Sequence, residues 1–127
     1  MKSVPAVAIG AVIGAGLRYG IGNTLSVDQI WSTLFINLIG CFALGLVLVL
    51  GERYLKSFPA MQKVWRPFLA TGLLGGFTTT SALAGQSVVL MQNDRSSTAL
   101  LLIAASLLGG LLSFHIAQSL AVRSLQE

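Results

Sequence analysis

The chain has 127 residues, of which 54% are hydrophobic and only 9% are charged. Soluble domains carry about 25% charged residues, so this composition excludes a water-soluble globule and indicates a single membrane domain, which covers residues 1–127. The net charge of +4 does not indicate a nucleic-acid partner, because the eight Lys and Arg residues are scattered between long apolar runs.

Four stretches are long and apolar enough to cross a membrane as helices, which takes about 20 residues each. The first carries one charge, Arg18, the second and third carry none, and the fourth has only His115 as a titratable group. The predicted fold is therefore an all-α membrane bundle of four transmembrane helices. Its spans cover residues 4–25, 31–51, 67–92 and 97–122, and short turns and one basic segment connect them.

The charges between the spans predict the orientation of the chain. Four spans place both termini and the connector at 52–66 on one side, which then carries six basic residues, whereas the other side carries Arg95 beside two aspartates. Such an excess of Lys and Arg marks the cytoplasmic side. Both termini are predicted to be cytoplasmic, in one fixed orientation. The six are Lys2, Arg53, Lys56, Lys63, Arg66 and Arg123.

The positions of the acidic residues narrow the class of transporter. All four carboxylates lie in loops or at the chain end, whereas proton-coupled exporters of cations need an intramembrane Asp or Glu. The small multidrug transporters, another family of four-helix membrane proteins, carry a Glu in the first span, so that class is disfavoured. Arg18 favours an anion instead, although an arginine that only extends to the outer interface stays an alternative.

No catalytic or metal-binding constellation is apparent from the sequence. His115 has no carboxylate in its own span, and the single cysteine, Cys41, lies within an apolar run. Neither provides the ligand set of a metal site or the partners of a catalytic triad. We therefore do not expect an enzyme.

The third span contains three glycines followed by four consecutive hydroxyl residues, Thr78 to Ser81. Adjacent glycines weaken a helix, and hydroxyl groups can bond backbone carbonyls and tolerate a break. A broken helix at membrane depth exposes carbonyls to a cation and amides to an anion. A continuous helix with a small-residue packing face is equally compatible with this stretch.

In the first span, Gly10/Gly14 and Gly16/Gly20 predict close helix contacts.

Four motifs, in order and spacing, resemble the Fluc (CrcB) family of bacterial fluoride channels. Residues 14–19 (GAGLRY) are similar to G-A-x-x-R-[WY], and residues 33–40 (TLFINLIG) are similar to T-L-x-x-N-x-x-G. Residues 71–79 (TGLLGGFTT) are similar to T-G-x-x-G-G-x-T-T, and residues 105–109 (ASLLG) are similar to the family's small-residue and serine run. Each motif is weak alone, but together they cover nearly the whole chain.

The resemblance implies an antiparallel dimer in the bacterial plasma membrane through which fluoride leaves the cytoplasm passively. It implies that the third helix breaks near Gly75–Thr79. It also implies that a structural sodium ion, which is not transported, binds at the dimer centre to the backbone carbonyls of Gly75 and Thr78. Asn37 is implied as an amide donor to the anion, and Arg18 as a residue that concentrates anions near a pore mouth. The implied hydroxyl donors are Thr79, Ser81 and Ser106.

The chain departs from the family in two ways. Thr80 and Leu83 occupy the places of two pore phenylalanines in the family's T-T-F-S-T-F motif, and Gln86 stands where many members have Glu. The one-sided loop charge also opposes the dual insertion that an antiparallel homodimer needs. Both departures predict a heterodimer with a homologous subunit of opposite orientation. A non-conducting structural partner of a homologous channel subunit is the alternative.

Overall fold

The computed structural model describes residues 3–24 and 28–126. Three parts of the sequence predictions lie outside these ranges: Lys2 of the basic set, residues 25–27, where the first predicted span ends and the first turn begins, and Glu127.

The described residues form an α-helical bundle, as predicted. Four helical units are long and apolar enough to cross a membrane, the third of them being the stretch Pro59–Gln92. The elements are α1 (Val4–Thr24), α2 (Gln29–Leu55), α3 (Pro59–Arg66), a π-helical segment (Pro67–Leu74), the single turn α4 (Gly75–Phe77), α5 (Thr80–Gln92) and α6 (Ser96–Ser124).

The second helix is longer than the span predicted from hydropathy. α2 begins at Gln29 and ends at Leu55, and the basic connector at 52–66 contains α3 rather than being a plain loop. Hydropathy marks the part of a helix inside the hydrocarbon, whereas polar residues such as Glu52 continue the helix into the headgroup layer. The basic residues therefore lie on helix ends close to the membrane surface.

The bundle consists of two pairs of helices, and the two helices of each pair run parallel to each other. α1 packs against the π-helical segment and α4, and α2 packs against α6. An added Cβ on Gly14 would overlap the carbonyl oxygen of Leu73, and one on Gly76 would lie 2.5 Å from the carbonyl oxygen of Ala11. The backbones of the first pair are thus in direct contact, as small residues permit in lipid.

The two glycine pairs predicted in the first span behave differently. Gly10 and Gly14 lie against the third span, whereas Gly16 and Gly20 have no neighbour within 4 Å for an added Cβ. Gly16 and Gly20 lie on the exposed face of α1. The packing prediction is therefore confirmed for Gly10 and Gly14, whereas Gly16 and Gly20 contact no other helix among the described residues.

The second pair of helices is also held together at glycines. A Cβ on Gly45 would lie 2.5 Å from the carbonyl oxygen of Phe114, and one on Gly110 would lie 3.1 Å from Sγ of Cys41. This register places Ser106 on α6 level with Asn37 on α2, one turn before the Cys41–Gly110 contact.

α5 joins the two pairs through a small apolar cluster. Leu83 and Leu90 of α5 pack with Ala99 and Leu102 of α6, and all four side chains are at most 8% exposed. Asp94, with φ of 58°, reverses the chain between the two helices. The cluster fixes α5 on the side of the bundle away from the basic residues.

Candidate anion pathway and cation site

The third span is broken between α4 and α5, as predicted. Thr78 has φ of −74° and ψ of 156°, and Thr79 has φ of −146° and ψ of 117°, so both residues are extended. The break lies between the last helical turn, Gly75–Phe77, and the start of α5 at Thr80. The prediction of a broken helix is confirmed, and the continuous helix that the sequence also allowed is wrong.

The side chain of Asn37 bonds both backbone groups of Thr79. Its Nδ2 donates to the Thr79 carbonyl at 3.1 Å, and its Oδ1 accepts from the Thr79 N–H at 2.8 Å. Both residues are at most 9% exposed. Buried backbone groups that lose their helical partners require such replacements in a membrane. Asn37 therefore holds the extended residue in place from the neighbouring helix, and one N–H of its amide is left over from these two bonds.

Thr79 in turn caps the helix that follows the break. Its Oγ1 accepts from the N–H of Ala82 at 3.1 Å, which is the bond of an N-cap hydroxyl. The same oxygen lies 3.2 Å from Oγ of Ser81, so the two predicted hydroxyl groups form one hydrogen-bonded pair. Thr79 is buried and Ser81 is exposed. The pair thus reaches from inside the bundle to its surface.

The Arg18 side chain donates a hydrogen bond to the extended segment at the break rather than extending away from it. Its Nη1 donates to the carbonyl oxygen of Thr78 at 3.3 Å, across 60 residues of sequence. The guanidinium is half-buried, and the contact brings a positive charge to mid-span. An anion that approaches Thr79 from this side would therefore meet a favourable potential.

The backbone around the break fits the implied sodium ion in its donor chemistry. In a continuous α-helix, the Gly75 carbonyl would accept from the Thr79 N–H and the Thr78 carbonyl from the Ala82 N–H. Those two N–H groups instead bond Asn37 and the Thr79 hydroxyl. Neutral carbonyl oxygens are suitable ligands for a hard cation. The pair of carbonyls therefore fits sodium, although Arg18 already occupies one lone pair of the Thr78 oxygen.

A polar cavity of about 320 Å³ connects the break to the end of the bundle opposite the basic connector. It lies between α1, α2 and α5 and includes Thr79 at its deep end. The lining residues with polar side chains are Arg18, Tyr19, Asn23, Gln29, Ser32, Thr33, Thr79 and Gln86. The cavity provides N–H and O–H donors along one wall of an otherwise apolar bundle.

Thr33 and Gln86 belong to this cavity, and sequence reasoning assigned neither of them to a site. Gln86 Nε2 donates to Thr33 Oγ1 at 2.8 Å and to the Gln29 carbonyl at 3.0 Å. The signal was present, since Thr33 precedes Asn37 by four residues and so shares its face of α2. Gln86 Oε1 is buried without a partner among the described residues.

Ser106 makes no hydrogen bond to the residues at the break. Its side chain is buried, and its Oγ has no hydrogen-bond partner among the described residues. A buried hydroxyl without a partner is uncommon and calls for a physical reason. An O–H group that is free to donate is what a dehydrated anion requires.

The two positions where phenylalanines are replaced face in different directions. Thr80 is exposed on the surface of α5, whereas Leu83 is 7% exposed within the apolar cluster. Leu83→Phe should therefore lower the free energy of unfolding by about 1–3 kcal/mol through overpacking. Thr80→Phe should change it by less than about 0.5 kcal/mol, as surface substitutions do.

Thermal unfolding of the two variants in the same detergent tests this difference. Equal melting temperatures for Thr80→Phe and Leu83→Phe would contradict the placement of Leu83 in the core.

Comparison with known proteins agrees with the motifs. A family profile described as CrcB-like protein, Camphor Resistance (CrcB), matches residues 5–118. The chain is 43% identical over 110 residues to a fluoride-specific ion channel FluC of Thermus thermophilus, with 84% of this chain and 83% of that protein covered.

Two further relatives carry the same name and cover similar shares. The fluoride-specific ion channel FluC of Chloroflexus aurantiacus is 39% identical over 121 residues, which is 91% of this chain and 92% of that protein. The Pseudomonas putida protein is 37% identical over 115 residues, covering 88% and 87%. Four membrane-spanning helical units, the broken third span and these matches together show that the chain belongs to the CrcB family.

Proposed function

We propose that the protein is a subunit of a fluoride-specific ion channel, not an enzyme, and that it lets fluoride leave the cytoplasm passively, which lowers the intracellular concentration. The observation that carries the proposal is the polar break at Thr78–Thr79, with Asn37 and Arg18 bonded to it. Fluoride is small and strongly hydrated, so a pore must replace its water with N–H and O–H donors. The relatives are named fluoride-specific ion channels, which supports the choice of anion.

A second subunit is part of this proposal. Three hydroxyl side chains of the third span, those of Thr71, Thr80 and Ser81, are exposed at membrane depth, where lipid offers no hydrogen-bond partner. Gly75, Ala84 and Gly85 are exposed in the same span and would permit close approach of another helix. Hard cations are held by several oxygen ligands. This chain offers the two carbonyls of Gly75 and Thr78, so an equal contribution from a partner would bring four carbonyls to a structural sodium site. Bound sodium would supply positive charge where two breaks meet.

The orientation of the subunits follows from loop charge. α2, α3 and α6 carry basic residues at the same end of the bundle, and Arg95 lies at the other end. We propose that the basic end of the bundle and both termini face the cytoplasm, and that the membrane is the plasma membrane. We also propose that the antiparallel partner is a homologous chain of opposite orientation.

Fluoride efflux from liposomes tests this function. We expect slow efflux from vesicles that contain this chain alone, and rapid efflux, measured with a fluoride electrode, when a homologue of opposite loop charge is co-reconstituted. Chloride efflux should stay at the background of empty vesicles. Rapid efflux by the chain alone, with its termini on both sides, would refute the heterodimer, and fluoride-tight vesicles in both cases would refute the channel.

The non-conducting structural partner is distinguished in the same assay by Ser106→Ala. This substitution removes a buried hydroxyl that makes no hydrogen bond among the described residues, so stability should stay the same or rise. A clear fall in fluoride efflux from the assembled complex, at a melting temperature that does not fall, supports a pore role for this chain. Unchanged efflux supports the structural partner instead.

A further inference from the structure

The short helix α3 has a polar and an apolar side at the surface of the membrane. Phe58, which immediately precedes the helix, and Met61 and Val64 within it are about half exposed, and Lys63 and Arg66 are also exposed. Trp65 packs over Gly51 of α2, where an added Cβ would overlap its ring. A helix of this kind lies in the headgroup layer, with apolar side chains toward the acyl chains.

A groove runs from this helix down the side of the bundle. One part, of about 570 Å³, lies between α2, α3 and the π-helical segment. A second part, of about 240 Å³, extends to Trp65 and Gly51. Both parts share Leu48, Gln62, Lys63 and Arg66, so they form one continuous depression. We call it the α3 groove. Lys63 and Arg66 make its rim at α3 basic, and Leu44, Leu48 and Ala70 make its wall along the bundle apolar.

The charges at the rim are poorly compensated. The connector at 52–66 contains four basic residues and one acidic residue, Glu52. Arg66 Nη2 lies 3.8 Å from Oε1 of Glu52, and both side chains are more than half exposed. Such an exposed pair is weak. An anion can therefore replace Glu52 as the partner of Arg66 at little cost.

We propose that the α3 groove binds an anionic phospholipid. The headgroup phosphate lies between Lys63 and Arg66, and one acyl chain follows Leu44, Leu48 and Ala70 into the bilayer. Basic pockets between transmembrane helices on the cytoplasmic side recognise anionic headgroups in this way. The site is separate from the cavity at Arg18, because it lies at the opposite end of the bundle and shares none of that cavity's lining residues.

Trp65 provides a direct probe of the groove. The chain has two tryptophans, so Trp31→Phe leaves Trp65 as the only one. The protein is reconstituted in phosphatidylcholine vesicles that contain phosphatidylglycerol or phosphatidylcholine brominated near the top of the acyl chains, which quench nearby indoles. We expect the apparent affinity for brominated phosphatidylglycerol to exceed that for phosphatidylcholine by about fivefold or more, since one basic residue at the headgroup contributes a factor of about five.

Three variants in this background test the assignment. Lys63→Gln with Arg66→Gln should bring the preference close to one. Arg53→Gln with Lys56→Gln removes the same charge outside the groove lining and should keep more than half of the preference. Glu52→Gln should raise the preference, because Arg66 then has no competing carboxylate. If the first pair fails to fold, the single variants Lys63→Gln and Lys56→Gln give the same comparison, because each removes one charge and only Lys63 lines the groove.

Four results would overturn the proposal. Equal quenching by both lipids would mean that the headgroup is not recognised. An equal loss in both double variants would assign the preference to diffuse surface charge. Trp65 that neither lipid quenches would mean that a second subunit covers the groove. Reversal of quenching by millimolar inorganic phosphate would assign the site to a soluble anion.

Discussion

Asn37→Ala is expected to destabilise the protein by about 2–6 kcal/mol. The substitution leaves the buried N–H and the carbonyl of Thr79 without partners, and each orphaned group costs about 1–3 kcal/mol. A loss of this size is a large part of a typical stability of about 5–15 kcal/mol. The melting temperature of the purified protein in detergent should fall strongly, and fluoride efflux should fall with it.

Two variants control for the loss of an amide. Asn23→Ala removes the same side chain at the exposed mouth of the cavity and should change stability by less than about 0.5 kcal/mol. Asn37→Asp keeps the acceptor for the Thr79 N–H but sets a carboxylate oxygen against the Thr79 carbonyl. Since only a protonated Asp can donate there, its melting temperature should be higher at acidic than at neutral pH. An Asn37→Ala protein as stable as Asn23→Ala would show that Asn37 does not hold the break.

The two hydrogen bonds between Asn37 and Thr79 limit what a substitution of Asn37 can show about a pore role. The family resemblance implies Asn37 as an amide donor to the anion, so loss of conduction on its substitution would at first sight support a pore role over a structural one. Because its amide also fixes the backbone of the break, conduction would be lost in either case. Ser106→Ala, which sacrifices no hydrogen bond among the described residues, is therefore the sharper test.

Gly14→Ala is expected to separate α1 from the third span at a cost of about 2 kcal/mol or more. A Cβ there would overlap the Leu73 carbonyl and approach the Phe77 N–H to 2.8 Å, and both are backbone atoms that cannot rotate away. Overpacking costs about 1–3 kcal/mol where side chains can adjust. The contact also lies beside α4, so the break should shift and fluoride efflux should be lost.

Gly16→Ala is the matched control on the same helix. No atom lies within 4 Å of its added Cβ. Alanine is favoured over glycine in a helix by about 1 kcal/mol, so this variant should be as stable as the parent or slightly more stable. Equal destabilisation by both substitutions would mean that a helix-wide or intersubunit effect, rather than the Leu73 contact, determines the result.

The fold was largely predictable because bilayer thickness and loop charge act on local stretches of sequence. A span needs about 20 apolar residues wherever it packs, so the four helical units follow from hydropathy alone. The break also had a local cause, in three glycines and four hydroxyl residues, but that cause was compatible with a continuous helix. The Asn37 amide, 42 residues away, decides between the two by bonding the extended Thr79.

Other site features were beyond local patterns. Gly14 and Gly16 look alike in the sequence, yet only Gly14 touches another backbone, because the helix turns its two faces toward different surroundings. The bond from Gln86 to Thr33 spans 53 residues and depends on how α2 and α5 are placed. Sequence periodicity predicts which residues share one face of a helix, but it does not predict which other helix packs against that face.

The sequence by itself determined the class of the protein: a four-span, carboxylate-free membrane interior with one arginine and a one-sided loop charge. These properties depend on counts and positions along the chain, which the bilayer selects without regard to tertiary contacts. Only the tertiary structure decided that Asn37 and Arg18 meet at Thr78 and Thr79, that Leu83 is core, and that Lys63 and Arg66 rim a groove. Those facts depend on distances between helices, which packing of the whole bundle sets.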